Sequence, residues 1–416
     1  MVGGDAVDGQ HGGGAGIAPL AEGQRTGHPG EPVVHGAPFP RRYRFLQCAL
    51  KWGSSQAVAS NVNRGPLVPL FDGITAITVQ TGRLAANVLT RTGQRTDGPA
   101  VVFIHGNVSS SLFWQPVMLA LPEDIAAYAV DLRGFGGSGA EPVDATRGVR
   151  DFSDDVHAVV RELGLGPVHL VGWSMGGGVA LQYALDHPAA SITLQAPVSP
   201  YGFGGTRLDG TRLTQDDAGT GGGGANPGFV AALDAGDTSR DNALGPWAVY
   251  KSSYVSSGFA SEHEDTWVES MLTTATGEDN YPGDSMPSVN WPGFAAGTRG
   301  VLNTMAPGHF DVSGIAALAV KPPILWVRGD ADAIVSDGSA FDLNFLGRAG
   351  VIPGWPGEEV APAQQMLAQT RAVLDRYSAN GGRYAEEVFA GAGHAPSLEQ
   401  PERFAGLLTG HVRGAA

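Results

Sequence analysis

The chain has 416 residues and a formal net charge of −15, from 41 acidic and 26 basic residues. This acidity argues against a broad binding surface for nucleic acid or for anionic membranes. A single cysteine, Cys48, excludes an internal disulfide framework and cysteine-based zinc or iron–sulfur sites. The sequence contains no apolar run long enough to span a bilayer and no secretory signal pattern, so a cytoplasmic protein is expected.

Composition divides the chain into segments of different character. Residues 1–40 are rich in glycine and proline and poor in large apolar side chains, which predicts a flexible tail. Residues 41–72 are more apolar and are expected to form an N-terminal extension. Residues 73–196 and 321–416 are regularly patterned, whereas residues 197–320 between them are not. A structureless loop of that length is unusual, so this block is predicted to be a subdomain inserted over the body.

In the two regular segments, short apolar runs alternate with stretches of helical periodicity. The predicted strands are, in chain order, 74–81, 84–89, 100–105, 126–131, 168–171, 190–196, 323–327 and 383–389. The predicted helices are 151–164, 175–187, 364–377 and 401–412. Short buried strands that alternate with amphipathic helices indicate an α/β fold, with a mostly parallel, doubly wound sheet covered by helices on both faces.

The strongest local signal is a serine between glycines at the junction of a predicted strand and a predicted helix, in the sequence GWSMG at 172–176. This arrangement is typical of a nucleophile elbow, a turn so tight that side chains at the glycine positions would collide with it. The turn exposes the hydroxyl of Ser174 at the start of a helix, where free N–H groups favour negative charge. Ser174 is the candidate nucleophile, and a structural glycine-rich turn is the alternative.

Four motifs, in this order, resemble the α/β-hydrolase superfamily in its serine ester-hydrolase and epoxide-hydrolase-like branch. They are FIHGN at 103–107, DLRGFGGSG at 131–139, GWSMGG at 172–177, and RGDAD at 328–332 together with GAGHAPSLEQPERF at 391–404. The resemblance covers about residues 73–412, except the block 197–320. It implies the α/β-hydrolase fold with the inserted block as a cap or lid, a Ser-His-Asp catalytic triad and no cofactor.

The resemblance also supplies candidates for the base and the acid that activate a serine. His394 follows the last predicted strand and is the candidate base, with a solvated loop histidine as the alternative. The acid is expected after the strand at 323–327, at Asp330, Asp332 or Asp337. In the family's G-D-x-D pattern the second acid is usually catalytic, so Asp332 is preferred, and Asp330 is the alternative if Asp332 only forms a turn.

Two backbone N–H groups are expected to form an oxyanion hole. By resemblance they belong to Met175, which follows the nucleophile, and to Asn107, in the loop after the third predicted strand. His105 in the same motif is interpreted as a buried scaffold residue. Asp131 and Arg133 are interpreted as residues that tie the loop after their strand, since ion pairs of this kind are more often architectural than catalytic.

The aromatic residues Phe113, Trp114 and Trp173 lie near these motifs and are candidate pocket residues for a moderately apolar small-molecule substrate. The sequences at 262–264 and 309–311 contain histidine beside acidic residues but lack the spacing of a metal motif, so no metal is expected.

The residue at the nucleophile position limits the reaction. Dehalogenases and epoxide hydrolases of this family use an aspartate there, so Ser174 argues against both. The triad predicts hydrolysis of a carboxylic ester or lactone through an acyl-enzyme. Carbon–carbon hydrolysis of a β-diketone-like substrate is an alternative, suggested by the sequence SMGG at 174–177. Amide hydrolysis and a non-catalytic ligand receptor on the same fold are further alternatives.

Overall fold

The computed structural model describes residues 70–415. The predicted tail at 1–40 and residues 41–69 of the predicted extension lie outside these residues. The described strands, β1 to β12, are Ile74–Gln80, Ala85–Arg91, Ala100–Ile104, Ala126–Val130, His169–Trp173, Ser191–Gln195, Thr276–Gly277, Tyr281–Pro282, Ser285–Pro287, Phe294–Ala296, Ile324–Gly329 and Tyr384–Phe389. The described α-helices, α1 to α10, are Gln115–Ala120, Arg150–Glu162, Met175–Asp186, Pro227–Asp234, Pro246–Val249, Glu264–Leu272, Leu343–Arg348, Met366–Ala379, Pro396–Glu399 and Pro401–Ala415.

Eight of the described strands form one sheet in the order β1-β2-β4-β3-β5-β6-β11-β12. Strand β2 pairs antiparallel with both β1 and β4, and every other pairing in this sheet is parallel. All residues of β4, β5 and β6 are buried, as expected for parallel strands that are covered on both faces. The predicted mostly parallel α/β sheet is confirmed.

Each strand and helix predicted in the two regular segments is present, and the differences lie at the ends. Strand β5 continues to Trp173, which pairs with Gln195 of β6, so the strand reaches the residue before Ser174. Strand β11 continues to Gly329, which pairs with Phe389. Helices α1, α7 and α9 were not predicted, because they are too short for a helical hydrophobic period to be recognised.

The block 197–320 contains helices α4 to α6 and the short strands β7 to β10, so it is not a structureless loop. These strands form two small sheets of two strands each. The buried side chains of Tyr250, Trp267 and Met271 belong to one hydrophobic cluster with the core of the main sheet. The block therefore packs on the body, and its description as a lid remains a prediction.

The start of helix α3 packs very closely against the end of β3. A Cβ atom at Gly176 would overlap the backbone carbonyl oxygens of Ile104 and His105, and one at Gly172 would overlap the carbonyl oxygen of Gly176. Because backbone atoms cannot move aside as a flexible side chain can, both positions require glycine.

We expect Gly176→Ala to lower the free energy of unfolding by about 1–3 kcal/mol or more, which is the usual cost of forcing extra atoms into a packed site. The matched control is Gly406→Ala in helix α10, where a Cβ meets nothing within 4 Å. Alanine loses less backbone entropy on folding than glycine does, so this exposed helical substitution should stabilise the protein by about 0.5–1 kcal/mol. Urea unfolding followed by circular dichroism measures both changes, and equal effects of the two substitutions would contradict this account of the packing.

Candidate active site

Ser174 lies between β5 and α3 with a φ of 56° and a ψ of −120°. This backbone conformation is uncommon and strained for a residue other than glycine. Hydrogen bonds hold it, because its N–H donates to the carbonyl of Gln195 at 2.9 Å and its carbonyl accepts from the N–H of Val198 at 3.0 Å. The side chain is half-buried, and it stands at the N-terminus of a helix, where the peptide dipoles favour negative charge.

His394 and Asp332 lie on the loops after the neighbouring parallel strands β12 and β11. The Nδ1 atom of His394 is 2.8 Å from Oδ2 of Asp332, and the two side chains are 2% and 3% exposed. The other carboxylate oxygen accepts the N–H groups of Ile334 and Val335 at 2.8 and 3.0 Å. Because a carboxylate only accepts, this contact requires the proton on Nδ1 and leaves Nε2 to accept a proton from a hydroxyl.

The two alternative acids have other partners. Asp330 is exposed and accepts the N–H of Gly391 at 2.7 Å. Asp337 is also exposed and accepts two backbone N–H groups at the start of helix α8. The structure therefore brings Asp332 to the imidazole and uses the other two carboxylates to hold turns.

The loop after β3 passes directly beside the candidate nucleophile. A Cβ atom at Gly106 would lie 3.0 Å from the Cβ of Ser174. The carbonyl of Gly106 accepts hydrogen bonds from His105 Nδ1 at 2.7 Å and from Ser109 Oγ at 2.8 Å. In a planar trans peptide the N–H points away from the carbonyl. These two donors therefore fix the direction of the Asn107 N–H, which belongs to the same peptide.

The environment of His105 defines its protonation. Its Nε2 accepts the N–H of Leu132 at 3.0 Å, so the ring proton is on Nδ1, where it is donated to Gly106. Burial lowers the pKa of His105, which keeps the ring neutral and this tautomer in place. His105 thus has the buried position expected of a scaffold residue, and it also orients the peptide that carries the Asn107 N–H.

Both N–H groups proposed for the oxyanion hole are available in the described part of the chain. Within residues 70–415, neither the N–H of Met175 nor that of Asn107 donates to a protein acceptor. Met175 is the first residue of helix α3, so its N–H has no partner within the helix. Two donors of this kind beside a serine can stabilise an oxyanion.

The three aromatic residues proposed as pocket residues are all buried, with Phe113, Trp114 and Trp173 being 1%, 1% and 2% exposed. The rings of Phe113 and Trp173 pack with centroids 5.1 Å apart, and Trp114 packs at the same distance on Phe103 of the sheet. The Nε1 atom of Trp173 donates to the carbonyl of His394 at 2.8 Å. These contacts pack the three side chains into the core and tie Trp173 to the loop of His394, and direct contact of the three residues with a substrate remains a prediction.

Asp131 and Arg133 tie the loop after β4 to its neighbours. Asp131 accepts the N–H of Ser111 at 2.7 Å. The guanidinium of Arg133 forms a two-point pair with Asp155 of helix α2, at 2.6 and 2.8 Å. Both side chains are buried and used in these contacts, which is an architectural arrangement.

No group of three or more histidine, cysteine, aspartate and glutamate residues within 70–415 could hold a metal ion. Glu264, considered from the sequence, pairs with Lys251 at 2.5 Å, and His309 Nε2 lies 3.0 Å from the carbonyl of Gly297. None of the helices in this part of the chain has the length and apolar character needed to cross a membrane.

A cavity of about 560 Å³ lies beside strands β1 and β2 and is bounded by residues 134–138 and by the residues after helix α6. Ser174, Asp332 and His394 do not line it. The candidate catalytic groups are therefore identified from the contact between His394 and Asp332 and from the strained turn at Ser174, and not from this cavity.

The sequence did not indicate the contacts of Tyr254, which touches both loops of the candidate site. It ends a single π-helical turn, Tyr250–Tyr254, a feature that is frequent at functional sites. Its hydroxyl donates to the carbonyl of Asn107 at 2.9 Å and of Val108 at 3.1 Å. Val108 has a φ of 46°, which is a clear outlier for a β-branched residue. No local pattern signals this contact, because the partners lie more than a hundred residues apart.

Comparison with known proteins shows the family to which the chain belongs. The sequence pattern of the alpha/beta hydrolase family matches residues 101–407. The chain belongs to this family. The 2-(acetamidomethylene)succinate hydrolase of Mesorhizobium japonicum is 25% identical over 259 residues, which cover 62% of this chain and 78% of that protein. A fluoroacetate dehalogenase of a Burkholderia species is 30% identical over 128 residues, or 30% of this chain and 41% of the relative.

A solved structure from Burkholderia cenocepacia, assigned as an aryl esterase, shares the fold of this alpha/beta hydrolase. Its TM-score is 0.51 at 20% sequence identity, and the match covers 82% of this chain and 99% of that chain. Family membership supports a hydrolase acting on small molecules, and the bond that is cleaved must be argued from the site.

We expect Asp332→Asn to lower kcat for an activated ester by about three to four orders of magnitude, because an amide at this position favours the wrong imidazole tautomer. The matched control is Asp330→Asn, which alters a neighbouring carboxylate that does not contact His394. Its kcat should stay within about threefold of the wild type. Steady-state kinetics on both folded variants measures the difference, and a larger loss in the Asp330 variant would assign the acid to Asp330.

Proposed function

We propose that this protein is a serine hydrolase that cleaves a carboxylic ester or lactone through an acyl-enzyme. The observation that carries the proposal is the buried contact of 2.8 Å between His394 Nδ1 and Asp332 Oδ2. The backbone carbonyl of His394 also accepts a hydrogen bond from the side chain of Trp173, the residue before the strained Ser174. The loop that carries the imidazole is therefore tied to the strand that carries the serine, which supports the proposal. A serine nucleophile and a base whose tautomer is fixed are the minimum that nucleophilic acyl transfer requires.

The proposed reaction has two halves. The Oγ atom of Ser174 attacks the carbonyl carbon while Nε2 of His394 takes its proton, and Asp332 stabilises the imidazolium that forms. The N–H groups of Met175 and Asn107 hold the oxyanion. The alcohol leaves with the proton from His394. A water molecule then loses a proton to His394, attacks the acyl group and releases the acid, and the proton returns to Ser174.

The identity of the nucleophile argues for acyl transfer over the chemistry of the dehalogenase relative. Acylation of Ser174 by a haloacid would leave the carbon–halogen bond intact, and direct displacement of the halide by Ser174 would form an ether that water does not hydrolyse. A serine nucleophile therefore does not support turnover of a haloacid. Esters are less demanding acyl substrates than amides, because an alcohol is a better leaving group than an amine. A site that has only a triad and two N–H donors is therefore assigned to an ester or lactone first.

Cleavage of an acyl carbon–nitrogen bond is the second candidate. The observation that favours it is the similarity to the 2-(acetamidomethylene)succinate hydrolase of Mesorhizobium japonicum, which covers 78% of that protein. The same triad can protonate an amine leaving group from His394. A panel of p-nitrophenyl esters, acyl anilides and a β-diketone separates ester, amide and carbon–carbon hydrolysis by their relative kcat/KM, and a ligand receptor would turn over none of them.

We also propose that the block 197–320 acts as a lid that influences substrate choice. It leaves the sheet after strand β6 and returns before β11. The carboxyl ends of the parallel strands are the usual location of active groups in an open α/β sheet. The contact of Tyr254 with the loop beside Ser174 supports this interpretation.

We expect Ser174→Ala to abolish ester turnover, with a loss of at least about 10⁴-fold in kcat and an unchanged circular dichroism spectrum. Loss of the nucleophile removes covalent catalysis, and the comparable loss in subtilisin is about 10⁶-fold. Mass spectrometry of the wild type after treatment with a fluorophosphonate should find the added mass on Ser174. Retention of more than a few per cent of the activity, or labelling at another residue, would contradict the proposal.

Turnover is expected to survive treatment with EDTA within experimental error, because Ser174, His394 and the two N–H donors account for every proton and charge in the proposed reaction. The control is the same assay in buffer treated with a metal-loaded chelator. Loss of activity that one added divalent ion restores would refute a metal-independent mechanism.

A further inference from the structure

The hydroxyl of Tyr254 contacts the loop that carries the proposed oxyanion donor. It donates to the carbonyl oxygens of Asn107 and Val108, at 2.9 and 3.1 Å, and the residue is 6% exposed. Burial raises the pKa of the Tyr254 phenol, so it keeps the proton that these carbonyls share. The hydrogen bonds are therefore shielded from competition by water.

These contacts hold the carbonyl end of Asn107, whereas His105 holds the peptide at its N–H end. The peptide before Asn107 is held through the Gly106 carbonyl, and the peptide after it is held by Tyr254. The Asn107 N–H lies in the first of these planes. Because the two planes are joined at the Asn107 Cα, a fixed second plane limits the backbone rotations that would let the first plane, and the N–H with it, turn away. The next residue, Val108, has a φ of 46° and would relax toward negative φ if its surroundings permitted.

Tyr254 is also tied to the loop that carries the proposed base. Its backbone carbonyl accepts the N–H of Ala395 at 2.9 Å. One oxygen of Glu399 accepts the N–H groups of Gly393 and Ser256, at 2.7 and 3.1 Å, and the other accepts the hydroxyl of Ser256. The residues on both sides of His394 are thus bonded directly or through Glu399 to residues 254–256.

We propose that Tyr254 is a positioning residue that holds the Asn107 N–H in register with the His394 imidazole, a role that rests on the proposed serine-hydrolase function. Tyr254 does not touch the reacting atoms. Its hydroxyl acts through the carbonyls of Asn107 and Val108 in the oxyanion loop, residues 106–109. Its backbone links that loop to the loop that carries His394. The ring fits this position, since its centroid lies 5.6 Å from that of Trp173 and 6.2 Å from that of His394.

This role predicts an effect on the transition state and not on substrate binding. The oxyanion forms only after attack on the carbonyl carbon. A misdirected N–H therefore stabilises the transition state less, which lowers kcat and leaves KM nearly unchanged. Removal of an oxyanion donor itself costs about 10²–10³-fold. A residue behind the donor should cost less, and about tenfold is expected.

The test compares Tyr254→Phe with Tyr250→Phe in the full-length protein. Tyr250 belongs to the same π-helical turn and is 0% exposed, and its hydroxyl has no hydrogen-bond partner within the described residues. Both changes remove one buried phenolic oxygen, and only the first removes the contact with the oxyanion loop. The measurements are kcat and KM for p-nitrophenyl acetate, the rate of fluorophosphonate labelling of Ser174, and the melting temperature.

Tyr254→Phe should lower kcat and the labelling rate by about tenfold each, with KM within about twofold, while Tyr250→Phe changes each by less than about twofold. The midpoint of the pH–rate profile should be the same in both variants, because His394 keeps its acid partner. Equal kinetics of the two variants would overturn the proposal. A loss in Tyr254→Phe that only follows the fraction of unfolded protein would also overturn it, since it would indicate a purely structural role.

A third measurement separates this proposal from the proposed function. Hydrogen exchange of the amides of residues 106–109 should be faster in Tyr254→Phe than in Tyr250→Phe. If the wild type neither cleaves esters nor is labelled at Ser174, the proposed function fails, and the exchange comparison still decides whether Tyr254 holds the loop. Unchanged exchange in both variants would refute that role even if the wild type is an active esterase.

Discussion

The left-handed backbone of Ser174 is the constraint around which the rest of the site is built. A serine with a φ of 56° is disfavoured by itself. It persists because residues at and after the end of strand β6 bond to its N–H and its carbonyl. The turn also needs Gly172 and Gly176, where a side chain would overlap neighbouring backbone. The same close packing brings the start of helix α3, with its free N–H groups, against the end of strand β3.

The parallel sheet assembles the remaining groups around this turn. Asn107, Asp332 and His394 follow strands β3, β11 and β12, and all of these strands end at the same edge as β5. Each loop is then fixed by its own hydrogen bonds. The neutral His105 ring orients one peptide, two backbone N–H groups hold one oxygen of Asp332, and the site gains its geometry from groups that do not react.

The parts of the site that follow from local sterics could be read from the sequence. The alternation of strands and helices predicted the fold, which is confirmed. The glycines at 172 and 176 predicted a tight turn at Ser174. The choice between Asp330 and Asp332 was harder, because both occupy one turn and their hydrogen-bond partners, Gly391 and His394, are distant in sequence. The contact of Tyr254 with the loop after β3 could not be predicted, because it depends on the path of an irregular block. Val108 gave no signal either, since a β-branched residue normally argues against a left-handed backbone.

The hydrogen bonds of residues 254–256 limit which segment of this protein could be exchanged for that of another family member. An inserted block that only covered an active site could be exchanged for that of another family member without touching the chemistry. Here the block contributes a carbonyl, a backbone N–H and two hydroxyls that hold the loops on either side of the serine. A graft that replaced residues 197–320 as one unit would remove those anchors. The exchangeable unit is therefore smaller than the insertion, and a chimera must keep residues 254–256 with the host sheet.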